Sequence, residues 1–139
     1  MHEQLIPLLT EATRIACSGI TSQGQATLRA SLDQACAVPA VFSWERKAVA
    51  HAEFFNVLAD VSARPRLAPV LSRGAGFAYD LMIIGGRAAD GIVINSRRRM
   101  LAHLDAEDGT GAALEMEKHL RILHFMGRLA SSGGQLASA

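Results

Sequence analysis

The stretch GIVINSRRRMLAHLDA, residues 91–106, carries the pattern that decides the fold. Leu101 and Leu104 follow Arg97 by four and seven positions, and Ile94 precedes it by three, which is the spacing of one helical face. The stretch is therefore predicted to form a helix that aims a guanidinium group at the core. Such a charge costs several kcal/mol unless it is paired or solvated in a cavity.

Two other segments with helical spacing place a histidine among apolar residues. His51 shares a face with Phe54, Phe55 and Leu58. His119 shares a face with Met116, Leu120, Leu123 and Met126. Three helices would then direct a nitrogen-bearing side chain toward the core, which predicts a polar internal cavity for a ligand or a metal ion.

Length and composition favour a single helical domain. The chain has 139 residues, of which 50% are hydrophobic and only 5% aromatic, and its net charge is +1. This balance lacks the basic footprint of a nucleic-acid-binding domain. The two cysteines do not form a disulfide framework, there is no signal-peptide pattern, and the apolar runs are too short to span a membrane. We therefore expect a cytoplasmic protein with no membrane partner.

Periodicity predicts six helices, at about residues 3–18, 22–37, 44–62, 65–84, 91–105 and 111–130. Thr21 and Ser43 are expected to cap the second and third helices, and Gly74 with Gly76 is expected to kink or break the fourth. No strand alternation is sustained. The connections are short, so the sequence predicts an all-α antiparallel bundle in residues 1–130, followed by a flexible Ser/Gly/Ala-rich tail at 131–139.

Several short motifs, in their order and spacing, resemble those of a known protein family. They are HAEFF at residues 51–55, ARPRL at 63–67, Arg97, Asp108, and the pair HL at 119–120, which begins 22 residues after Arg97. In this order the chain resembles the C-terminal ligand-binding domain of GntR-family bacterial transcriptional regulators, in the FadR-like (FCD) subgroup. The resemblance extends over essentially the whole chain. It implies an all-α bundle of six to seven helices with a central cavity for a small effector, often a carboxylate.

The resemblance also implies a metal in many members, held by one aspartate and three histidines. Here His51 stands at the aspartate position, Phe55 and Arg97 stand at two histidine positions, and only His119 is unchanged. Zinc or nickel at His51 and His119 would therefore lack a third ligand, and no cofactor is expected. Arg97 is instead expected to hold the carboxylate of an effector, with His51 and His119 adding hydrogen bonds and Phe55 forming an apolar wall.

Arg14 and Tyr79 are further candidates for this cavity. Arg14 lies beside Ile15 on the first helix, with a position on the flank as the alternative, and Tyr79 would either present its hydroxyl inward or lie at an interface. The full set of candidate effector-binding residues is Arg97, His51, His119, Phe55, Arg14 and Tyr79. A plainer interpretation stays open. Arg97 belongs to a run of three arginines and a small helix rotation would turn it to solvent, while the two histidines would be ordinary core residues.

The sequence thus predicts the effector-binding and homodimerisation domain of a transcriptional regulator, with no enzymatic activity. DNA would be bound only through a winged helix-turn-helix domain that is absent from this chain. Two alternatives remain: a structural dimerisation module with a filled core, and a small metal-dependent enzyme that uses the same cavity. For catalysis, no Ser/His/Asp arrangement is apparent and no carboxylate is expected to face the cavity, because Glu53, Asp60, Glu115 and Glu117 are predicted to be solvated.

Overall fold

The computed structural model describes residues 3–39 and 43–138, with side chains described up to residue 130. The described part contains helices and no strand, which confirms the all-α prediction. The six α-helices are α1 (Leu5–Cys17), α2 (Ser22–Ala37), α3 (Trp44–Val61), α4 (Ala68–Gly85), α5 (Ala89–Asp105) and α6 (Gly109–Ser138). Short 3₁₀ turns at Pro65–Leu67 and Gly86–Ala88 precede α4 and α5.

Local signals set several helix ends. The Thr21 hydroxyl accepts a hydrogen bond from the Gly24 amide at 3.0 Å, and Ser43 caps α3 in the same way. The Asp108 carboxylate accepts from the amide of Gly111 at 2.8 Å in the first turn of α6. These caps satisfy amide groups that have no partner within the helix.

The structure differs from the sequence prediction in two helices. α4 runs without a break through Gly74 and Gly76. A Cβ at position 74 would lie 2.6 Å from a methyl group of Leu9 and 3.0 Å from the Phe55 ring, so this glycine permits close packing and introduces no kink. α6 continues to Ser138. The flexibility that the sequence predicts for residues 131–139 stays a prediction. Ala139 lies outside the described residues.

The helices pack around one continuous apolar core. α3 packs against α2 and α4, whereas α6 packs against α1, α4 and α5. α3 makes no broad contact with α5 or α6, so the long side chain of Arg97 bridges α5 and α3 across the core. Three of the candidate residues, Arg97, His51 and His119, belong to α5, α3 and α6 and are all buried.

The helical run Pro65–Asp105 is long and apolar enough, by length and composition, to cross a membrane. Its apolar 18-residue segment is 39% buried within the protein. This differs from the sequence prediction that the apolar stretches are too short, because the turn at Gly86–Ala88 joins two helices into one run. A core helix of a soluble protein meets the same criterion. The cytoplasmic location and the absence of a membrane partner therefore stay predictions.

Candidate functional site

Arg97 lies in the centre of the protein with 1% of its surface exposed. Its Nη1 donates a hydrogen bond to the carbonyl oxygen of His51 at 3.0 Å. Its Nε and Nη2 have no hydrogen-bond partner. These two nitrogens form one edge of the planar guanidinium group, the edge that can hold both oxygens of a carboxylate.

Two aromatic rings cover the guanidinium group. The Cζ atom of Arg97 is 4.2 Å from the centroid of the Phe54 ring and 5.5 Å from that of Phe55. Both rings belong to α3 and are almost fully buried. Their π electrons attract the cation and replace part of its lost hydration, but they leave the in-plane N–H donors unsatisfied.

His51 is buried and pairs with Asp90, whose side chain is partly exposed at the surface. Its Nε2 lies 2.8 Å from an Asp90 carboxylate oxygen, and the other Asp90 oxygen is 3.7 Å from the Lys47 ammonium nitrogen. The Lys47 ammonium also donates to the Val38 carbonyl at 3.3 Å. Burial lowers the pKa of His51, and the hydrogen bond to Asp90 opposes that shift. The Nδ1 atom of His51 has no partner.

His119 is the most isolated polar side chain of the site. It is 1% exposed, and neither ring nitrogen makes a hydrogen bond of ordinary geometry. Burial holds its pKa well below the usual value, and the Arg97 charge lowers it further, while the nearby Met116 carbonyl opposes the shift. His119 is therefore neutral at physiological pH. We call Arg97, His51, His119, Phe54 and Phe55 the Arg97 cluster.

Arg97 keeps its charge although burial is costly. Burial lowers its pKa to about 9, which still leaves the guanidinium protonated at neutral pH. No carboxylate of the described residues forms a hydrogen bond or an ion pair with it. A buried cation without a counter-ion and with two unsatisfied donors is costly in an otherwise apolar core.

Asp90 and Lys47 were missed by the sequence analysis, although both carry a detectable signal. Asp90 precedes Arg97 by seven positions and Lys47 precedes His51 by four, so each lies on the same helical face as a residue of the Arg97 cluster. Asp90 falls between the predicted helices at 65–84 and 91–105, which hid the first of these relations. Glu115 was predicted to be solvated, but it is 8% exposed and accepts a hydrogen bond from Arg99 at 2.7 Å.

The structure places Arg14 and Tyr79 away from the Arg97 cluster. Arg14 pairs with Glu11 on the surface of α1 and lines a cavity of about 420 Å³ near the end of α1 and the start of α6. Tyr79 lines a shallow depression of about 590 Å³ beside the start of α3, together with Ser43 and Val49. Neither residue has a described contact with Arg97, because both lie on outward flanks of their helices.

The donor set of the cluster does not fit a divalent metal ion. The described residues contain no group of three His, Cys, Asp or Glu side chains that converge on one point. His51 and His119 are two imidazoles beside a guanidinium group, whose charge disfavours a second cation. Structural and catalytic zinc sites use three or four protein ligands. The same positive charge favours an anion.

Comparison with known proteins adds no relative. No family model matches the chain, and no curated protein or solved structure matches it either. The resemblance to GntR-family regulators therefore stays a prediction from the motifs.

Proposed function

We propose that this chain is a ligand-sensing domain that binds a small organic acid in the Arg97 cluster. The observation that carries the proposal is the unpartnered Nε and Nη2 edge of a fully buried arginine. A carboxylate would accept two parallel hydrogen bonds from this edge and neutralise the charge. The unpartnered nitrogens of His51 and His119 would hydrogen-bond the remaining polar groups of the ligand.

Asp90 offers a route from the surface to this cluster. Its side chain is 29% exposed, whereas that of its partner His51 is fully buried. Movement of the Lys47–Asp90 pair would uncover His51 at the junction of α3 and α5. Binding would then favour one packing of these helices over another, which is how a ligand shifts a conformational equilibrium.

In the proposed role, the shift is transmitted to a winged helix-turn-helix domain that binds DNA, as the resemblance to FadR-like members of the GntR family implies. The all-α fold and the buried polar cluster support this role. On its own, the chain is expected to bind DNA weakly or not at all, since its net charge is +1. Tight, sequence-selective binding of the isolated chain in a gel-shift assay would contradict this expectation.

The test is thermal unfolding and calorimetric titration of the chain with acetate, propionate and butyrate. An acid that binds only the folded state at about a hundred times its dissociation constant adds about 2.7 kcal/mol to the free energy of unfolding. Arg97→Met should abolish this effect, whereas Arg99→Met should retain it. Equal binding by wild type and Arg97→Met would refute the proposal. Lack of any acid effect would instead favour a structural module with a filled core.

We also propose that the domain forms a homodimer through the outer face of α6. Opposite its buried face, α6 exposes a second apolar stripe formed by Leu114, Ile122, Phe125 and Leu129. An antiparallel copy of this helix would pair Leu114 with Leu129 and Lys118 with the Phe125 ring, so the stripe is self-complementary. A helix that is apolar on both faces normally has a partner on each.

Light scattering tests the dimer directly. The wild-type chain should have the mass of a dimer and Phe125→Asp that of a monomer. Val49→Asp, at an equally exposed position on α3, should leave the mass unchanged. A monomeric wild-type chain would exclude this interface.

A further inference from the structure

The interior of the protein carries one positive charge that no residue described by the structure neutralises. At the rim, the charges of Asp90 and Lys47 offset each other at 3.7 Å. On the far side of α5, Arg99 is paired with Glu115 at 2.7 Å. His51 and His119 are neutral at physiological pH because burial lowers the pKa of both. Among the groups of the cluster, Arg97 is left as a single unbalanced cation.

This charge count discriminates between anions. A monocarboxylate would make the buried assembly electrically neutral. A dicarboxylate of the same length would leave one excess negative charge in an apolar environment, which is costly. The cost disappears if a neighbouring base takes up a proton and becomes a second cation.

His119 is the base best placed to do so. The Nε2 of His51 is engaged by Asp90, whereas both nitrogens of His119 are unpartnered. The charged and titratable groups that act on His119 are Arg97 and Arg99 from α5 and His51 from α3. The buried side chains of α1 and α4 are apolar, apart from Thr13 and the thiol Cys17 on α1. A second negative charge beside Arg97 would therefore have His119 as its free partner.

We propose that the Arg97 cluster selects singly charged carboxylates at neutral pH and admits a dicarboxylate only together with one proton, taken up from solvent by a ring nitrogen of His119. This inference rests on the proposed function and specifies the charge class of its ligand. In the dicarboxylate complex, Arg97 and protonated His119 balance the two negative charges.

Crotonate and fumarate are the matched probes. Both are rigid four-carbon trans acids, and they differ by one carboxylate. At about pH 7.5 crotonate should bind at least about tenfold more tightly than fumarate. Lowering the pH to about 6 should strengthen fumarate binding by roughly tenfold or more, since one coupled proton changes affinity by up to a factor of ten per pH unit. Crotonate binding should stay within about twofold.

Calorimetry in two buffers of different ionisation enthalpy counts the protons directly on the wild-type chain. One proton should be taken up with fumarate and none with crotonate. His119→Gln should lose the proton uptake with fumarate, while Arg97→Met should lose the binding of both acids.

The outcomes separate this inference from the proposed function. Equal affinity for the two acids at neutral pH, or equal proton uptake with both, refutes the charge selection alone. Proton uptake that persists in His119→Gln refutes the role of His119. If neither acid binds, or if both bind to Arg97→Met, the proposed function fails and the inference fails with it.

Discussion

Two arginines of α5, only two positions apart, meet opposite environments. Arg99 lies on the outer flank, half exposed, and forms a 2.7 Å ion pair with Glu115 of α6. Arg97 lies on the inner face, almost fully buried, between two phenylalanine rings and without a carboxylate partner. Among the described residues, the charge that water could have solvated has a counter-ion, and the charge from which water is excluded has none.

Under the proposed function, the two environments have different roles. A half-exposed ion pair contributes little to folding, but it satisfies its own groups. A buried cation with an unpartnered edge costs stability, and a site of this kind is typical of ligand-binding residues. The proposed function therefore depends on the inner face of α5. On the outer flank, the Arg99–Glu115 ion pair connects α5 to α6.

The largest expected effect comes from removing the ring that covers Arg97. Phe54→Ala should lower the free energy of unfolding by about 3–5 kcal/mol, because it leaves a cavity and removes the nearer of the two rings that cover the guanidinium group. Denaturant unfolding measures the loss.

A double-mutant cycle isolates the contribution of the cation. Phe54→Leu should cost less in an Arg97→Met background than in wild type, with a coupling of about 0.5–2 kcal/mol. Equal costs in both backgrounds would mean that the ring acts only as core packing.

The two arginines should respond to the same substitution with opposite signs. Arg97→Met should raise the free energy of unfolding by about 1–4 kcal/mol, since it replaces a buried charge with an apolar side chain of similar length. Arg99→Met should lower it by about 1–3 kcal/mol, because Glu115 is left largely buried and unpaired. Melting temperatures of the two variants test the comparison, and a loss of stability in Arg97→Met would remove its basis.

Acid should lower the free energy of unfolding through His51 and His119, by less than the substitutions above. In the unfolded chain the pKa of histidine is about 6.5, whereas burial lowers the pKa of His51 and His119 in the folded protein. Below about pH 6.5 the unfolded chain therefore binds protons that the folded chain does not. Above this pH, the contribution of the two histidines to the free energy of unfolding is at its maximum. As the pH drops below it, the free energy of unfolding should fall by up to about 1.4 kcal/mol per pH unit for each histidine.

Urea unfolding at a series of pH values measures this slope. It should become shallower in His119→Gln, because burial lowers the pKa of His119. An unchanged slope in His119→Gln would show that His119 is not held neutral in the folded protein.

Much of the fold was predictable from local pattern. The spacing of Leu101 and Leu104 around Arg97 predicted both the helix and the burial of the charge, and the cap at Thr21 was identified from one residue type. The uninterrupted course of α4 was not predictable, because Gly74 has low helix propensity but is required by the close approach of Leu9 and Phe55. That approach depends on how α1, α3 and α4 pack against one another.

The candidate site divides in the same way. Periodicity alone placed Arg97, His51 and His119 on inward faces, because a helical face repeats every three or four residues whatever surrounds it. Periodicity did not reveal which group each of them would meet. Asp90 contacts His51, from which it is separated by 39 positions in the sequence, and Arg99 of α5 pairs with Glu115 of α6. Arg14 and Tyr79 had equally suitable spacing, but they face other surfaces.

The sequence by itself determined that Arg97, His51 and His119 lie on the apolar faces of their helices, since the helical repeat fixes which residues share a face. The tertiary structure decided which of those side chains find a partner. Hydrogen bonds and ion pairs act over about 3 Å, and only the packing of α3, α5 and α6 fixes such distances. The unpartnered edge of Arg97, on which the proposed function depends, is therefore a property of the packed helices.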